Sequence, residues 1–390
     1  MPEIKRDIIG LSPPAAPQEI CVLGGGQLGA MLCEAARRMG YTTLCISPEA
    51  ADPAAQWADR HISADPGDPL LVRDAARHSA AIAVEAESIN PASLVPGGFC
   101  GTLSPGADVQ RIVRDRRLEK TFLAENGLAV GPFRLAENAD ELTAAATELL
   151  QISGRVVAKT ARGGYDGRGQ VWLESIHDAP QAWRTLGQVP VVVEAAVDFA
   201  AEISVIVARN NRGEKSVFPV FQNEHRNGIL FQTQMPAPQP LEVVSQAQSL
   251  AMETAEMLAV VGLLTVEMFV LKDGRVWINE LAARPHNSGH VTLRAASRSQ
   301  FEMHICAIMG LPLPPVDVLA PAVMTNLLGD LWSRGEPNWG AVLADGRATI
   351  HLYGKAPRPG RKMGHMIHTG ETLEAAQAAG LKAFNNLAAA

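Results

Sequence analysis

Residues 265–281 read TVEMFVLKDGRVWINEL, two apolar strand-like runs joined by Asp273-Gly274. An Asp-Gly pair between such runs is a strong signal for a two-residue hairpin. Paired residues in a hairpin keep a constant index sum, so Lys272 facing Arg275 predicts Glu267 facing Glu280. Two carboxylates directly opposite on one sheet face repel unless something lies between them. A hard divalent cation is the simplest resolution, and Mg2+ typically takes one or two carboxylates and fills its shell with water and nucleotide phosphates. The alternative, both carboxylates splayed into solvent, is disfavoured by their apolar neighbours. The segment therefore predicts a sheet built around a metal and phosphate site, with Glu267 and Glu280 as metal ligands.

A second segment fits the same chemistry. Residues 161–172, ARGGYDGRGQVW, place Gly163, Gly164, Gly167 and Gly169 between the strand-like runs RVVAKT and QVWL. Glycines let a backbone come near phosphates and let a loop open and close as a lid. Lys159 ends the preceding strand, where its ammonium can meet phosphate beside the carboxylate pair. No GKS or GKT follows the glycines, so this is not a Walker A loop, and no kinase catalytic loop is visible.

The remaining chain sets bounds. Its 390 residues allow two or three domains. A net charge of −7 argues against a nucleic-acid binder. No apolar run reaches the roughly 18 residues of a membrane helix. The stretch before Glu19 lacks an apolar h-region and reads as a loose tail, not a signal peptide. Five scattered cysteines read as buried small side chains in a reducing compartment, so the expectation is a cytoplasmic enzyme. From Glu19 strands and helices alternate, which predicts a doubly wound parallel sheet over 19–110. Helices near 107–126 and 138–150 follow. Closely spaced β-rich runs beyond Arg155, with one long helix around 241–260, predict a mainly antiparallel α+β domain over 111–315, its lid at about 155–200. GLPLPP at 310–315 marks a joint before a smaller C-terminal domain, 316–390.

GGGQLG (Gly24, Gly26, Gly29) fits the dinucleotide fingerprint after a strand and before a helix. That reading also needs an acid at the end of the second strand. Here the strand ends Ile46-Ser47-Pro48, which speaks against NAD or FAD. A phosphate-bearing substrate, or a merely tight turn, are the readings left.

Lysine strand, glycine lid and paired carboxylates on a hairpin resemble the ATP-grasp enzymes. GGGQLG, GGYDGRGQ, QNEH-NGIL, NELAARPHNSGH, SQFEMH, GLPLP, NLLGD and HLYGK-RPGRKMGH, in order from about residue 20 to 366, are similar to the N5-carboxyaminoimidazole ribonucleotide synthetase family of purine biosynthesis. The resemblance implies an ATP-grasp fold of three domains, usually a homodimer. It implies ATP-dependent ligation of bicarbonate carbon to the amine of 5-aminoimidazole ribonucleotide, by way of carboxyphosphate, with a mutase as the next user of the product.

Carried onto this chain, the ATP site is Arg116, Lys159 and the lid from Gly164 through Tyr165, Asp166, Gly167, Arg168 and Gly169 to Gln170. It continues with Glu194, Ala195, Ala196 and Val197, then Glu202, His225, Asn279 and Glu280. Backbone of Glu194–Val197 would read the adenine edge, and Glu194 or Glu202 the ribose hydroxyls. Substrate and carboxyphosphate would be gripped by Tyr165, Asp166, Arg284, His286, Asn287 and Ser288. Lys355, Arg361 and Lys362 would join them, and Gln27, Leu28 and Glu87 would line the aminoimidazole side. Of these, Tyr165, Asp166, Arg284, His286, Asn287, Lys355 and Arg361 are the expected catalytic set.

Four positions depart from the family pattern. The run at the end of the fourth strand is Val84-Glu85-Ala86-Glu87-Ser88, leaving open which glutamate faces the site. Gln222 takes a charged position, Ala283 replaces a proline, and Ser47 stands where aspartate is common. Another ATP-grasp carboxylate–amine ligase, or a nicotinamide oxidoreductase built on GGGQLG, are the competing readings.

Overall fold

A computed structural model of the chain describes residues 18–94, 99–164 and 167–388. The expected tail up to residue 17, and the expected site residues Tyr165 and Asp166, lie outside the described residues. Among the described residues the strands form three sheets.

The first is parallel, with strands in the spatial order Arg60–Ser63, Thr42–Ser47, Glu19–Leu23, Ala81–Val84 and Thr102–Ser104. The strand order reverses between Glu19–Leu23 and Ala81–Val84, which pair Leu23 with Val84. In open α/β sheets the crevice outside such a switch point is where ligands bind. Both GGGQLG and the Glu85–Ser88 run leave the sheet at this point.

The lid sheet is antiparallel, in the order Phe133–Ala136, Val191–Ala195, Val156–Thr160 and Gln170–Leu173. Helix Ala139–Ser153 packs Leu142, Ala146 and Leu149 onto it. The lid subdomain thus begins near 133, earlier than the expected 155, because its first strand is contributed from before that helix.

The large sheet is antiparallel throughout, and strands after residue 316 continue it. Ala322–Leu328 pairs with Ile229–Met235, then Lys362–Thr369 and Ala348–Leu352 extend the edge. One face of the opposite half is apolar. Ile203, Val205, Val266, Met268, Val276 and Ile278 pack against Val243, Ala247 and Ala251 of helix Leu241–Met257. Period-two alternation then sends Glu202, Ser204 and Glu267 to the other face.

Glu267 does face Glu280, but not through the expected turn. The Leu271 amide bonds the Arg275 carbonyl and Gly274 has φ 85°, so the connection is the three residues Lys272, Asp273 and Gly274. Lys272 and Arg275 are not partners, and that expectation is corrected. Near the turn Met268 pairs with Ile278, one residue out of step with Glu267–Glu280. A bulge at Asn279 restores the step. Because Ile278 and Leu281 both enter the same core, Asn279 and Glu280 are successive residues off the core face.

This strand, Val276–Ala282, ends the sheet, and its outer edge is covered. Its Ile278 amide bonds the Ala129 carbonyl. Helix Arg116–Glu125 supplies Glu119 to the Leu281 amide at 3.2 Å and Lys120 to the Asn279 carbonyl at 2.8 Å. The expected helix over 107–126 is two, Ala107–Val113 and Arg116–Glu125, broken where the buried Asp115 caps the second by accepting from the Arg117 amide. Of the cysteines, Cys21, Cys33 and Cys45 are buried as expected, whereas Cys306 is half-buried and Cys100 is exposed.

Candidate active site

Helix Arg116–Glu125 is the spine of the site. Arg116 reaches Glu280 at 2.9 Å and the lid carbonyl of Gly164 at 3.2 Å, so one guanidinium ties hairpin to glycine loop. One turn on, Lys120 is almost wholly buried and its ammonium stands 3.1 Å from Glu194. Lys159 meets the same carboxylate at 2.9 Å from the neighbouring strand. Burial alone would raise the Glu194 pKa, but the two lysines outweigh it and hold it at about 2. Glu194 is therefore the shared counter-ion of two lysines, which leaves Glu202 as the candidate for the ribose hydroxyls. Glu202 is paired with His225, and although burial opposes the charge, this contact raises the histidine pKa. The Ala195 and Ala196 amides bond the Pro132 and Arg155 carbonyls.

Sequence reasoning missed Lys120 and Glu119. A signal was available: Lys120 lies four residues after Arg116 on one helix, hence on the same face. Glu119 is buried, and burial first, then the nearby Glu280, pushes its pKa up. Glu267 behaves oppositely. Burial raises its pKa, but His286, 2.8 Å away through Nε2, and His225 hold it low. The side-chain oxygen of Asn279, beside this pair, is buried with no hydrogen-bond partner.

The glycine lid follows from backbone geometry. Gly163, Gly167 and Gly169 all have φ between 70° and 78°, the left-handed region that favours glycine. A Cβ on Gly164 would sit 2.9 Å from the Arg168 carbonyl oxygen, and one on Gly167 3.3 Å from that of Asn227. Arg168 is exposed, while Gln170 opens the next strand opposite Lys159.

At the other glycine loop the structure differs from the phosphate reading. Glu85 turns inward, and its two oxygens accept from the Gly26 and Gly29 amides, at 2.5 and 2.9 Å. A Cβ on Gly24 or Gly26 would collide with the Glu85 side chain at 2.4–2.9 Å, so these glycines make room for it. A side chain from 59 residues on thus takes the amides a phosphate would use. Glu87 is the glutamate that faces outward, and it holds Arg284 at 2.6 Å.

The remaining expected residues divide. Lys355 donates to Gln27, joining the C-terminal strands to the first glycine loop. Burial, then the nearby Arg361 and Lys362, lower its pKa to about 8, despite the opposing pull of Glu85. Arg361 folds back to donate to the Ala356 carbonyl at 3.0 Å. Three of the expected residues have their side chains engaged within the protein. Leu28 is packed in the N-terminal core. Asn287 forms a reciprocal amide pair with Asn326, at 2.7 and 3.1 Å. Ser288 is fully buried and hydrogen-bonded to Ser204 and His286. Leu28, Asn287 and Ser288 are buried, whereas Gln27 and His286 beside them in sequence are half-buried.

A lysine-bearing lid sheet over a carboxylate-bearing antiparallel sheet defines the ATP-grasp class, and a model of that domain matches residues 121–301. Residues 18–105 match the ribonucleotide synthetase preATP-grasp domain, and residues 322–379 the phosphoribosylaminoimidazole carboxylase C-terminal domain. The chain is 40% identical over 350 residues to the N5-carboxyaminoimidazole ribonucleotide synthase of Brucella melitensis, covering 89% of this chain and 95% of that one. With the same enzyme of Bacillus subtilis the identity is 40% over 348 residues, covering 89% and 90%. Among solved structures, an ADP complex of N5-carboxyaminoimidazole ribonucleotide synthetase superposes with a TM-score of 0.87 at 38% identity, covering 95% of this chain and 98% of that one. The Aspergillus clavatus enzyme in complex with ADP and 5-aminoimidazole ribonucleotide gives 0.86 at 27% identity, covering 96% and 99%. The chain belongs to the N5-carboxyaminoimidazole ribonucleotide synthase family.

Proposed function

We propose that this chain is the ATP-dependent ligase that carboxylates 5-aminoimidazole ribonucleotide with bicarbonate, giving N5-carboxyaminoimidazole ribonucleotide, ADP and phosphate by way of carboxyphosphate. The observation that carries the reading is the linkage of the lid strand to the opposed Glu267–Glu280 pair, through Lys159, Glu194 and Lys120 to the Asn279 carbonyl and through Arg116 from Gly164 to Glu280.

Lys120 and Lys159 bind and orient the transferring phosphates, and Arg116 secures the lid over them. Catalysis of bicarbonate phosphorylation is mostly positioning and charge neutralisation, which fixed cations in a dry site supply without rearrangement. Closure of the lid keeps water from carboxyphosphate. Arg284, oriented by Glu87, and Lys355, oriented by Gln27, hold the anionic ribonucleotide beside it, with Arg361 and Lys362 at the rim. Tyr165 and Asp166 belong to the same loop and are proposed to meet the substrate, Asp166 as a candidate proton acceptor. Val197, after the engaged amides of Ala195 and Ala196, offers its amide to the base, and Glu202 takes the ribose.

The residues present fit Mg2+. Glu267 and Glu280 are opposed on one face, the adjacent Asn279 oxygen is buried without a partner, and all are hard oxygen donors. Among the described residues no group of three or more His, Cys, Asp or Glu could hold a metal, which suits an ion that draws its other ligands from phosphate and water. Bound there, Mg2+ would neutralise charge on the nucleotide phosphates.

The proposal extends to a cytoplasmic homodimer whose product passes to a mutase. Among the described residues no helix is long and apolar enough to cross a membrane. The test is ADP release from Mg·ATP and bicarbonate, with and without 5-aminoimidazole ribonucleotide. Strong stimulation with an acid-labile carboxylated product is the expected result. Unstimulated release would keep an ATP-grasp enzyme and require a different acceptor.

A further inference from the structure

A line of buried polar side chains crosses the large sheet behind the carboxylates. Thr233 donates to the Asn223 amide oxygen at 2.9 Å, and the Asn223 amide nitrogen donates to Ser204 at 2.9 Å. Ser204 lies 2.8 Å from Ser288, which lies 2.9 Å from His286 Nδ1. His286 Nε2 then meets Glu267 at 2.8 Å. Thr233, Ser204 and Ser288 are fully buried and Asn223 nearly so.

The direction of this chain is set at its histidine end and is compatible with the other. The Ser204 oxygen receives from the Asn223 amide nitrogen, which cannot accept, so its own proton is free for Ser288. Ser288 in turn donates to His286 Nδ1. Independently, the Ser288 backbone amide points at the same Nδ1 at 3.3 Å, which requires a bare nitrogen there. The imidazole proton then belongs on Nε2, facing Glu267.

We propose that Ser204 and Asn223 are positioning residues that lock His286 as the Nε2–H tautomer, making it a permanent hydrogen-bond donor to Glu267. A histidine so locked has no nitrogen open to take a proton from the aminoimidazole amine, so the proton acceptor of the carboxylation is another group. The link to catalysis rests on the placement of His286 in the reaction site proposed above. The tautomer does not, so the two can fail separately.

The test is nitrogen NMR of the full-length enzyme with labelled histidine, without substrates, His286 being assigned through His286→Gln. The expected spectrum has a pyridine-type Nδ1 and a pyrrole-type Nε2. Asn223→Asp, nearly isosteric, replaces the amide donor with an acceptor, so every hydroxyl in the chain should reverse and the proton should move to Nδ1. Ser204→Ala should lower kcat roughly threefold to tenfold, the worth of one neutral hydrogen bond, with KM for ATP unchanged, and Ser204→Thr should restore it. A pyrrole-type Nδ1 in the native enzyme overturns the proposal even if no variant folds. An unchanged His286 signature in folded Asn223→Asp does so as well. Normal tautomers with ribonucleotide-independent ADP release would instead sink the function and leave the lock standing.

Discussion

The lid wall and the hairpin wall of the site carry opposite charges in opposite proportion. On the lid side, Lys120 and Lys159 share the single carboxylate Glu194. On the hairpin side, Glu267 and Glu280 have Arg116 as their only guanidinium within ion-pair distance among the described residues, with His286 donating a hydrogen bond. One wall carries surplus positive charge and the other surplus negative. Neither surplus is balanced by its own wall, and a ligand that brings phosphate oxygens to one and a divalent cation to the other balances both. Helix Arg116–Glu125 holds the walls in register, since Arg116 and Lys120 each touch a carboxylate and a backbone carbonyl on opposite sides.

The largest effect should come from cutting the spine. Lys120→Met leaves Glu194 with Lys159 alone and takes the ammonium from the Asn279 carbonyl. Breaking a buried ion pair from one side typically costs about 3–5 kcal/mol. A urea midpoint unchanged from the parent would show that the lid wall does not depend on Lys120. Next, Glu280→Gln removes one of the two carboxylates, and with it the negative surplus, without changing shape. Turnover with Mg·ATP should fall on the order of 10²–10³-fold, as when one preorganised transition-state contact is lost, while circular dichroism stays as in the parent. Parent-like turnover would dissolve the contrast between the walls.

Acid should separate them more gently. Glu194 titrates at about 2, below its ordinary 4.5, because its lysines outweigh its burial. A lowered carboxylate stabilises the fold above its ordinary range and loses that contribution as pH falls, here between about 5 and 2. The amount is on the order of 3 kcal/mol. Glu194→Gln should flatten the thermal-stability profile in that window, and a profile as steep as the parent's would assign the acid sensitivity elsewhere.

What the sequence could disclose was whatever is fixed by local spacing or quoted motif. The parallel and antiparallel sheets, the lid glycines and the Glu267–Glu280 opposition were all legible. The last came out right although the turn has three residues, because the Asn279 bulge returns the register that the longer turn displaced. A strict two-residue hairpin and a bulged three-residue one converge only beyond the bulge, and nothing in the local pattern distinguishes them. Glu85 filling the first glycine loop was not legible, since it depends on two strand ends meeting at the switch point of a sheet. The inward turn of Asn287 and Ser288 likewise depends on partners at Asn326 and Ser204, in distant strands. Lys120 was legible by helical spacing from Arg116 and was passed over.

The bulge supplies the smallest and sharpest test. It places Asn279 beside Glu280, with its side-chain oxygen buried and unpartnered, while its backbone carbonyl is held by Lys120. Asn279→Ala removes the carboxamide that carries this oxygen and leaves the backbone carbonyl in place. If that oxygen belongs to the negative wall, the magnesium concentration for half-maximal turnover should rise several-fold, about 1 kcal/mol for one polar contact, and the melting temperature should not move. A buried polar atom that has no partner contributes nothing to the fold that its removal could take away. A lowered melting temperature with unchanged magnesium dependence would therefore mean that Asn279 holds the bulge itself. The surplus of the hairpin wall would then rest on its two carboxylates alone.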